Sequence, residues 1–184
     1  MKPGTRALGV AESFRDETST LAGVVTRASR TVDGFAFSSC TVGGDDATDA
    51  IIDLYRQLDR EDVRYVVVGG VALAWYNILD LNRVHRATDR PILSVTFEES
   101  EGLEPSLRAE FDGDALDWRL DAYEALPPRR PVGVGDETVF VRNVGIADAE
   151  ADRVIGAFTP EGGRPEPVRV ARLAARACDE IRRE

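Results

Sequence analysis

The first part of the chain carries the two-residue hydrophobic period of β-strands. Three apolar runs, Arg6–Val10, Leu21–Arg27 and Val32–Val42, are separated by short polar links, the second of which contains Asp33-Gly34. In the third run apolar and polar residues alternate, as they do in a strand with one buried face. Because short links join consecutive strands that pair antiparallel, we predict a three-stranded antiparallel meander.

After the meander the hydrophobic period changes to that of helices. Apolar residues recur at helical spacing over residues 51–58 and again over 78–84. The buried strand Arg64–Val68 lies between the two helices, and the apolar strand Pro91–Phe97 follows them. Strand–helix–strand units of this kind form right-handed crossovers between parallel strands. The apolar positions are Ile51, Ile52, Leu54, Tyr55 and Leu58 in the first helix, and Ile78, Leu79, Leu81 and Val84 in the second.

The rest of the chain is mainly helical. Pro165 and Pro167 fix the start of the last helix, and the segment Pro127–Gly135, rich in Pro, Gly and Arg, is interpreted as a connector. The helices are predicted over Leu103–Phe111, Ala115–Ala125, Ala149–Phe158 and Val168–Arg182, with one strand over Thr138–Val144. A meander followed by two crossovers predicts an α/β, three-layer fold of ribonuclease-H-like topology. It is a mixed β-sheet with helices on both faces and the first strand between the second and the fourth.

Composition adds a strong acidic bias. The chain has 184 residues, sufficient for the single domain that we predict over residues 1–184, and a net charge of −10. Lys2 is its only lysine. Acidity together with lysine depletion favours a salt-rich, halophilic cytoplasm, where carboxylates keep a protein hydrated. The alternative is an ordinary acidic protein with arginine-rich codon usage. Because molar salt screens charge, the acidity does not exclude a nucleic-acid partner.

No segment favours a membrane or a zinc site. The longest dense apolar stretch, Tyr65–Leu73, is far too short for a span and is interrupted by two glycines. We find no signal peptide, so a cytoplasmic location is expected. Cys40 and Cys178 are far apart in the sequence and His85 is the single histidine, so the cysteines are interpreted as buried or incidental thiols.

The predicted topology brings together three candidate places for chemistry. Glu12 follows the first strand, Asp45 and Asp46 precede the first long helix, and Gly69-Gly70 ends the fourth strand. Carboxylates on separate rigid elements are the hard oxygen ligands that Mg²⁺ or Mn²⁺ needs in hydrolytic sites.

Five sequence blocks resemble those of an archaeal family. They are Lys2-Pro3-Gly4, Leu8-Gly9-Val10, the run from Thr41 to Thr48, the run from Gly70 to Asn77, and Pro165-Glu166-Pro167-Val168-Arg169. The chain thereby resembles the endonuclease dU family, which is thought to be distantly related to endonuclease V. The resemblance implies a metal-dependent endonuclease that acts on DNA or RNA carrying deaminated bases.

The resemblance also implies site residues. Glu12, Asp46, Asn77 and Glu166 match polar positions of the family, so Glu12, Asp46 and Glu166 are the expected catalytic groups. Glu12 and Asp46 are the expected ligands of Mg²⁺ or Mn²⁺. The chain departs from the family where many members carry Asp at the end of the fourth strand, which here is Gly69. Gly43 also replaces a family Asp, and the catalytic lysine of endonuclease V has no match near Thr96-Phe97-Glu98.

Each candidate also has a structural interpretation. Asp46 can be a helix N-cap, Glu12 a solvated carboxylate, and Glu166 a stabilising charge at a helix N-terminus. Gly69-Gly70 can cradle a phosphate or only allow close packing. Trp75 and Tyr76 can stack on a flipped base or belong to the core.

Two further functional hypotheses stay open beside the endonuclease. One is a catalytically silent ribonuclease-H-like module that binds nucleic acid or a protein partner. The other is a small-molecule enzyme that binds phosphate at Gly69-Gly70.

Overall fold

A seven-stranded mixed sheet forms the centre of the molecule in the computed structural model, which describes residues 1–182. The strands are β1 (Arg6–Arg15), β2 (Thr18–Arg27), β3 (Val32–Thr41), β4 (Val63–Val68), β5 (Ala72–Leu73), β6 (Asn77–Ile78), β7 (Ile92–Thr96), β8 (Arg130–Val134) and β9 (Glu137–Val144). The helices are α1 (Ala47–Leu58), α2 (Leu81–Thr88), α3 (Glu104–Glu110), α4 (Gly113–Glu124), α5 (Asp148–Phe158) and α6 (Glu166–Ile181).

The strand order in the sheet is β3-β2-β1-β4-β7-β9-β8, and β5 and β6 form a separate hairpin. β1 pairs antiparallel with β2 and parallel with β4, which confirms the predicted central position of the first strand. β4 and β7 are also parallel, as the two helical crossovers require. The carboxyl ends of β1, β4 and β7 therefore meet along one edge, where connections diverge and ligands usually bind in mixed sheets.

Helices cover both faces of the sheet, which confirms the predicted three layers. On one face Leu8 and Val10 of β1 pack with Ile51 and Leu54 of α1. On the other face the alternate residues Ala7 and Ala11 pack with α5 and α6. Among the described residues, none of the helices has the length and apolar character needed to cross a membrane. The predicted single domain of residues 1–184 also includes residues 183 and 184, which lie outside the described residues.

The block Leu8-Gly9-Val10 is explained by the close approach of α6. A Cβ atom added at Gly9 would lie 2.1 Å from the backbone carbon of Pro167, so no larger residue fits without moving the helix. Pro167 belongs to the first turn of α6, whose start is fixed by proline as predicted. The first turn of α6 thus lies directly against the middle of β1.

β1 is longer than the sequence pattern predicts. It continues to Arg15 and turns into β2 through Asp16 and Glu17, so Glu12 lies within the strand instead of following it. The polar residues after Ala11 look like a link in the sequence because this half of the strand extends past the end of β4. Pairing with β2 is what keeps the segment extended.

Two further elements differ from the prediction. Ile78 was assigned to the second helix but belongs to the β5–β6 hairpin, and α2 begins only after Asp80, whose carboxylate caps it through the Arg83 amide at 2.8 Å. The predicted connector Pro127–Gly135 contains β8, an edge strand that pairs with β9. Pro131 is compatible with an edge strand because its missing N–H is not needed there.

Candidate functional site

A cleft opens at the carboxyl ends of β1, β4 and β7. Its larger part is a cavity of about 410 Å³ between the Gly69-Gly70 turn, the end of β7 and the middle of β9. Its smaller part lies beside Glu12 and the first turns of α6. Gly69, Arg164 and Arg172 line both parts, so the two are continuous.

Five arginines line this cleft, and we call it the arginine cleft. They are Arg129, Arg142, Arg164, Arg172 and Arg176, against the two glutamates Glu12 and Glu98. Within the described part of the chain, none of the five forms a salt bridge with a carboxylate. Five cations against two carboxylates, in a chain of net charge −10, make a local reversal of sign, and this excess of positive charge favours an anionic ligand.

Two of these arginines are held rigidly by neutral groups. Arg142, 8% exposed, donates to the carbonyl of Pro127 and to the Tyr123 hydroxyl. Arg129 lies over the Phe140 ring at 4.0 Å and donates to the Thr96 hydroxyl and to backbone carbonyls. These contacts fix the guanidinium groups without cancelling their charge.

The arginines from α6 and the loop before it are close enough to repel one another. Burial, with Arg164 and Arg176 as further causes, lowers the pKa of Arg172 below its usual 12.5. Arg172 and Arg176 are four residues apart, so they share one helix face. Arg164 lies over the Phe97 ring at 4.3 Å. Bringing these cations together costs free energy that a bound polyanion would recover.

Glu12 is a structural acceptor at the rim of the cleft. Its Oε2 atom accepts hydrogen bonds from the Ser19 hydroxyl and the Ala74 amide, both at 2.7 Å. Burial raises the pKa of Glu12 above its usual 4.5, and the two hydrogen bonds offset part of that rise. The carboxylate therefore joins β1 to the β5–β6 hairpin.

Asp46 occupies the N-cap position of α1 but does not cap it. Its carboxylate instead accepts from the amide and hydroxyl of Thr41 and from the Asn77 side chain at 2.8 Å. Burial acts to raise the pKa of Asp46, but these hydrogen bonds outweigh it and hold the pKa below the usual 3.8. The backbone amide of Ala47, at the start of α1, donates to the side-chain oxygen of Asn77. The side-chain nitrogen of Asn77 also donates to the Thr41 carbonyl.

The structure places Glu12 and Asp46 in the same neighbourhood. Burial raises the pKa of the Cys40 thiol to about 12, and the charges of Asp46 and Glu12 contribute to this rise. Among the described residues, however, no group of three or more His, Cys, Asp and Glu side chains could hold a metal ion. Because the oxygens of Asp46 and one oxygen of Glu12 are committed to hydrogen bonds, this donor set does not fit a two-ion nuclease centre.

Of the remaining predicted site residues, Glu166 lies apart from these two carboxylates. Glu166 is bound by both nitrogens of a bidentate Arg169 at 2.7 Å, which lowers its pKa. Arg30, at the opposite end of β1 from Glu12, also lowers the pKa of Glu166. Gly69 and Gly70 line the cleft. A Cβ at Gly69 would face Val168 of α6, whereas strand alternation turns Glu12 toward the α1 face.

The hairpin positions Trp75, Tyr76 and Asn77 in different environments. Asn77 is fully buried, and Tyr76 packs edge-on against Phe111 at 5.8 Å. Trp75 remains 46% exposed. Of the three, only the indole of Trp75 presents a large free surface.

Sequence reasoning missed the cationic group itself. Arg129 and Arg130 both lie in the segment Pro127–Gly135, but Arg130 is paired with Asp148 and Asp152, and of these two only Arg129 lines the cleft. The four-residue spacing of Arg172 and Arg176 on an amphipathic helix was the one available indication. Arg142 lies on a strand far from them in sequence, and only the fold brings it near.

Comparison with known proteins gives a family and a fold for the chain. The family model described as endonuclease dU matches residues 3–179. A UPF0215 protein of Pyrobaculum calidifontis is 34% identical over 174 residues, covering 91% of this chain and 93% of that protein.

Two solved structures are similar to the whole chain. A protein of unknown function from Archaeoglobus fulgidus has a TM-score of 0.83 at 29% identity, covering 94% of this chain and 97% of that one. Ciona intestinalis endonuclease V, in complex with DNA containing an inosine, has a TM-score of 0.63 at 10% identity, covering 96% and 86%. The second likeness confirms the ribonuclease-H-like fold. With the family match over almost its full length, the chain belongs to the endonuclease dU family.

Proposed function

We propose that this chain binds nucleic acid and holds the sugar-phosphate backbone in the arginine cleft. The observation that carries the proposal is the convergence of five arginines, against two glutamates, on one cleft of a chain with net charge −10. Guanidinium groups form charge-assisted, often bidentate hydrogen bonds with phosphate oxygens. Because successive phosphates repeat along a strand, a row of separate arginines suits a backbone better than a single small anion.

Two comparisons support the choice of nucleic acid over other polyanions. The chain belongs to the endonuclease dU family, and it shares its fold with a Ciona endonuclease V bound to inosine-containing DNA. The cleft lies at the carboxyl ends of the parallel strands, the usual ligand position in sheets of this kind.

A more specific hypothesis is metal-dependent cleavage beside a deaminated base. The side chains support this hypothesis less well than they support nucleic-acid binding. Glu12 and Asp46 are acidic neighbours, as that hypothesis requires, but they act as hydrogen-bond acceptors that hold backbone amides. Gly69 offers no oxygen ligand. The arrangement is therefore better suited to binding nucleic acid than to two-ion hydrolysis.

Fluorescence anisotropy with labelled oligonucleotides tests the binding proposal. Arg164→Gln and Arg172→Gln should each weaken binding by about tenfold, the loss expected for a charged hydrogen bond. Each should also reduce the salt slope of log K by roughly 0.7–0.9 per lost phosphate contact. Arg86→Gln, an exposed arginine on α2, is the matched control and should bind normally. Unchanged binding by both cleft variants would contradict the proposal.

A cleavage assay and Mn²⁺ calorimetry test the hypothesis of metal-dependent cleavage. Uracil-, inosine- and abasic-containing oligonucleotides would be incubated in molar KCl with Mn²⁺, comparing the wild type with Glu12→Gln. We expect oligonucleotide binding without Glu12-dependent cleavage. Cleavage and a heat of Mn²⁺ binding that both disappear in Glu12→Gln would establish the metal site and a hydrolytic function instead.

A further inference from the structure

An exposed tryptophan stands on an unusual turn beside the arginine cleft. The turn that joins β5 to β6 consists of Ala74, Trp75 and Tyr76, and we call it turn 74–76. All three residues are in the left-handed region, with φ of +44°, +60° and +58°. None is glycine, so each residue adopts this conformation at a cost of about 1–2 kcal/mol. A strained run of this kind persists only where the surroundings impose it.

The surroundings hold the backbone of the turn from three sides. Glu12 accepts from the Ala74 amide at 2.7 Å, and the Ala74 carbonyl accepts from the Gly43 amide at 2.7 Å. Arg119, which is buried, donates to the Tyr76 carbonyl at 3.2 Å and to the Gly43 carbonyl. Asn77, the residue that follows the turn, donates its side-chain amide to Asp46.

These contacts fix the backbone at Trp75 and leave the residue 46% exposed. The bonds go to the backbone of its neighbours, and the Tyr76 ring supports the indole only by its edge, at 5.4 Å. The indole is 46% exposed, whereas a tryptophan that served the core would be covered. The position is also close to the cleft, because Glu12 both lines the cleft and binds the residue next to Trp75.

We propose that Trp75 is a stacking platform for an unpaired base of a nucleic acid whose backbone occupies the arginine cleft. The substrate class is therefore single-stranded or locally unpaired nucleic acid, bound without a requirement for one particular base. The inference rests on the proposed function. A cationic groove beside an exposed, rigid aromatic ring is the combination that binds single strands, because every base has a face that can stack. In a duplex those faces are already occupied by neighbouring bases.

Tryptophan fluorescence observes the stacking directly. The chain has two tryptophans, so Trp118→Phe leaves Trp75 as the only tryptophan. In this background, titration with a short oligothymidine should quench the emission, and the corresponding thymidine–adenosine duplex should quench it much less. Equal quenching by both, or none by either, would overturn the inference.

Binding by substituted proteins separates the ring from the backbone. Trp75→Gly removes the ring at a position where glycine is favoured, so it should raise the melting temperature while weakening oligothymidine binding by about tenfold. Trp75→Phe should retain part of the affinity. Phe35→Ala removes an aromatic ring that is 54% exposed on β3 and is the control that should bind normally.

The two proposals fail in distinguishable ways. If Trp75→Gly binds like the wild type while Arg172→Gln is weakened, stacking is refuted and backbone binding stands. If Arg164→Gln and Arg172→Gln bind normally, the proposed function itself fails. If an oligothymidine does not bind at all but the exposed Trp75 is protected by a protein, the surface is a protein interface and the inference is overturned.

Discussion

At the scale of single residues, hydrogen bonding decides what each polar group near the cleft does. Glu12, Asp46 and Asn77 have the chemistry of ligands or catalysts, yet each is bound to a backbone amide or carbonyl of another segment. A buried polar group that loses such a partner carries its full desolvation penalty. These side chains therefore fix the positions of β3, α1 and the β5–β6 hairpin around the cleft.

Asn77 provides the sharpest test of this structural role. Asn77→Ala leaves the Ala47 amide and the Asp46 carboxylate without a partner that lies at 3.1 and 2.8 Å. We expect the free energy of unfolding to fall by about 2–4 kcal/mol, because three hydrogen bonds of a buried side chain are lost. Denaturant unfolding measures it, and Asn82→Ala at an exposed position of α2 is the control. A loss of unfolding free energy no larger than that of the control would refute the structural role of Asn77.

At the scale of elements, the contact of α6 with β1 places the α6 arginines at the cleft. The first turn of the helix lies on Gly9, and Val168 lies next to Gly69. A shift of α6 would move Arg172 and Arg176 away from Arg129 and Arg142, which belong to the opposite side of the cleft. Close packing at one glycine therefore determines where the α6 arginines lie in the cleft.

Gly9→Ala should consequently be costly. The new methyl group would meet the backbone of Pro167 at 2.1 Å, and backbone cannot rotate away as a side chain can. We expect a loss of about 3 kcal/mol, at the upper end of the usual cost of overpacking. Gly133→Ala on β8, where nothing lies within 4 Å, is the matched control for the effect of alanine in a strand. Equal melting temperatures of the two variants would show that α6 can move away from β1 at little cost in stability.

A second element-scale feature is the ion network that joins β1, β2 and β3 at the ends of these strands that lie away from the cleft. Asp33 accepts from Arg6 at 2.5 Å and from Arg27 at 2.6 Å. The hydrogen bond from Arg27, followed by that from Arg6, holds the pKa of Asp33 at about 2, below the usual 3.8. The stability from this group is present above pH 3.8 and is lost as the pH falls toward 2.

Asp33→Asn should therefore lower the melting temperature at neutral pH, and the gap to the wild type should narrow as the pH falls from 3.8 to 2. Asp53→Asn is the control, because its pair with Arg56 is largely exposed and contributes little. Melting curves across this range provide the measurement. A gap that stays constant with pH would mean that the aspartate acts through its shape and not its charge.

At the scale of the whole molecule, a net charge of −10 coexists with a cationic cleft. Repulsion among the surface carboxylates opposes folding unless salt screens it. The same salt weakens the attraction between the cleft and phosphate. Molar salt would therefore favour the folded state while leaving hydrogen bonding and stacking to provide a larger share of binding.

The salt prediction follows from the surface charge. Raising KCl from low to molar concentration should increase the melting temperature by roughly 10 °C, corresponding to about 3 kcal/mol for a chain of this size. Sucrose, which stabilises folded proteins without screening charge, is the comparison and should not abolish the effect of KCl. A melting temperature that is the same at low and molar KCl would be incompatible with the halophilic interpretation of the composition.

Local pattern by itself determined the order and the pairing of the main elements. The periods of two and 3.6 residues come from backbone geometry, so Leu21–Arg27 and residues 51–58 could be assigned without tertiary information. Short links and crossover handedness then placed the first strand centrally, as the sheet confirms. The blocks around Gly9 and Asp46 indicated the family for the same reason, since they are contiguous in the sequence.

Only the tertiary structure decided what the candidate residues contact. Asn77 and Asp46 are 31 residues apart, and Glu12 and Ala74 are 62 apart, so no spacing rule relates them. The polar end of β1 and the short β5–β6 hairpin were misassigned because pairing with neighbours, not local propensity, makes them strands. The arginine cleft was missed for the same reason. Its members come from the loop before β8, from β9, from the loop before α6 and from α6, and charge adds up through space, whereas the sequence shows only neighbours along the chain.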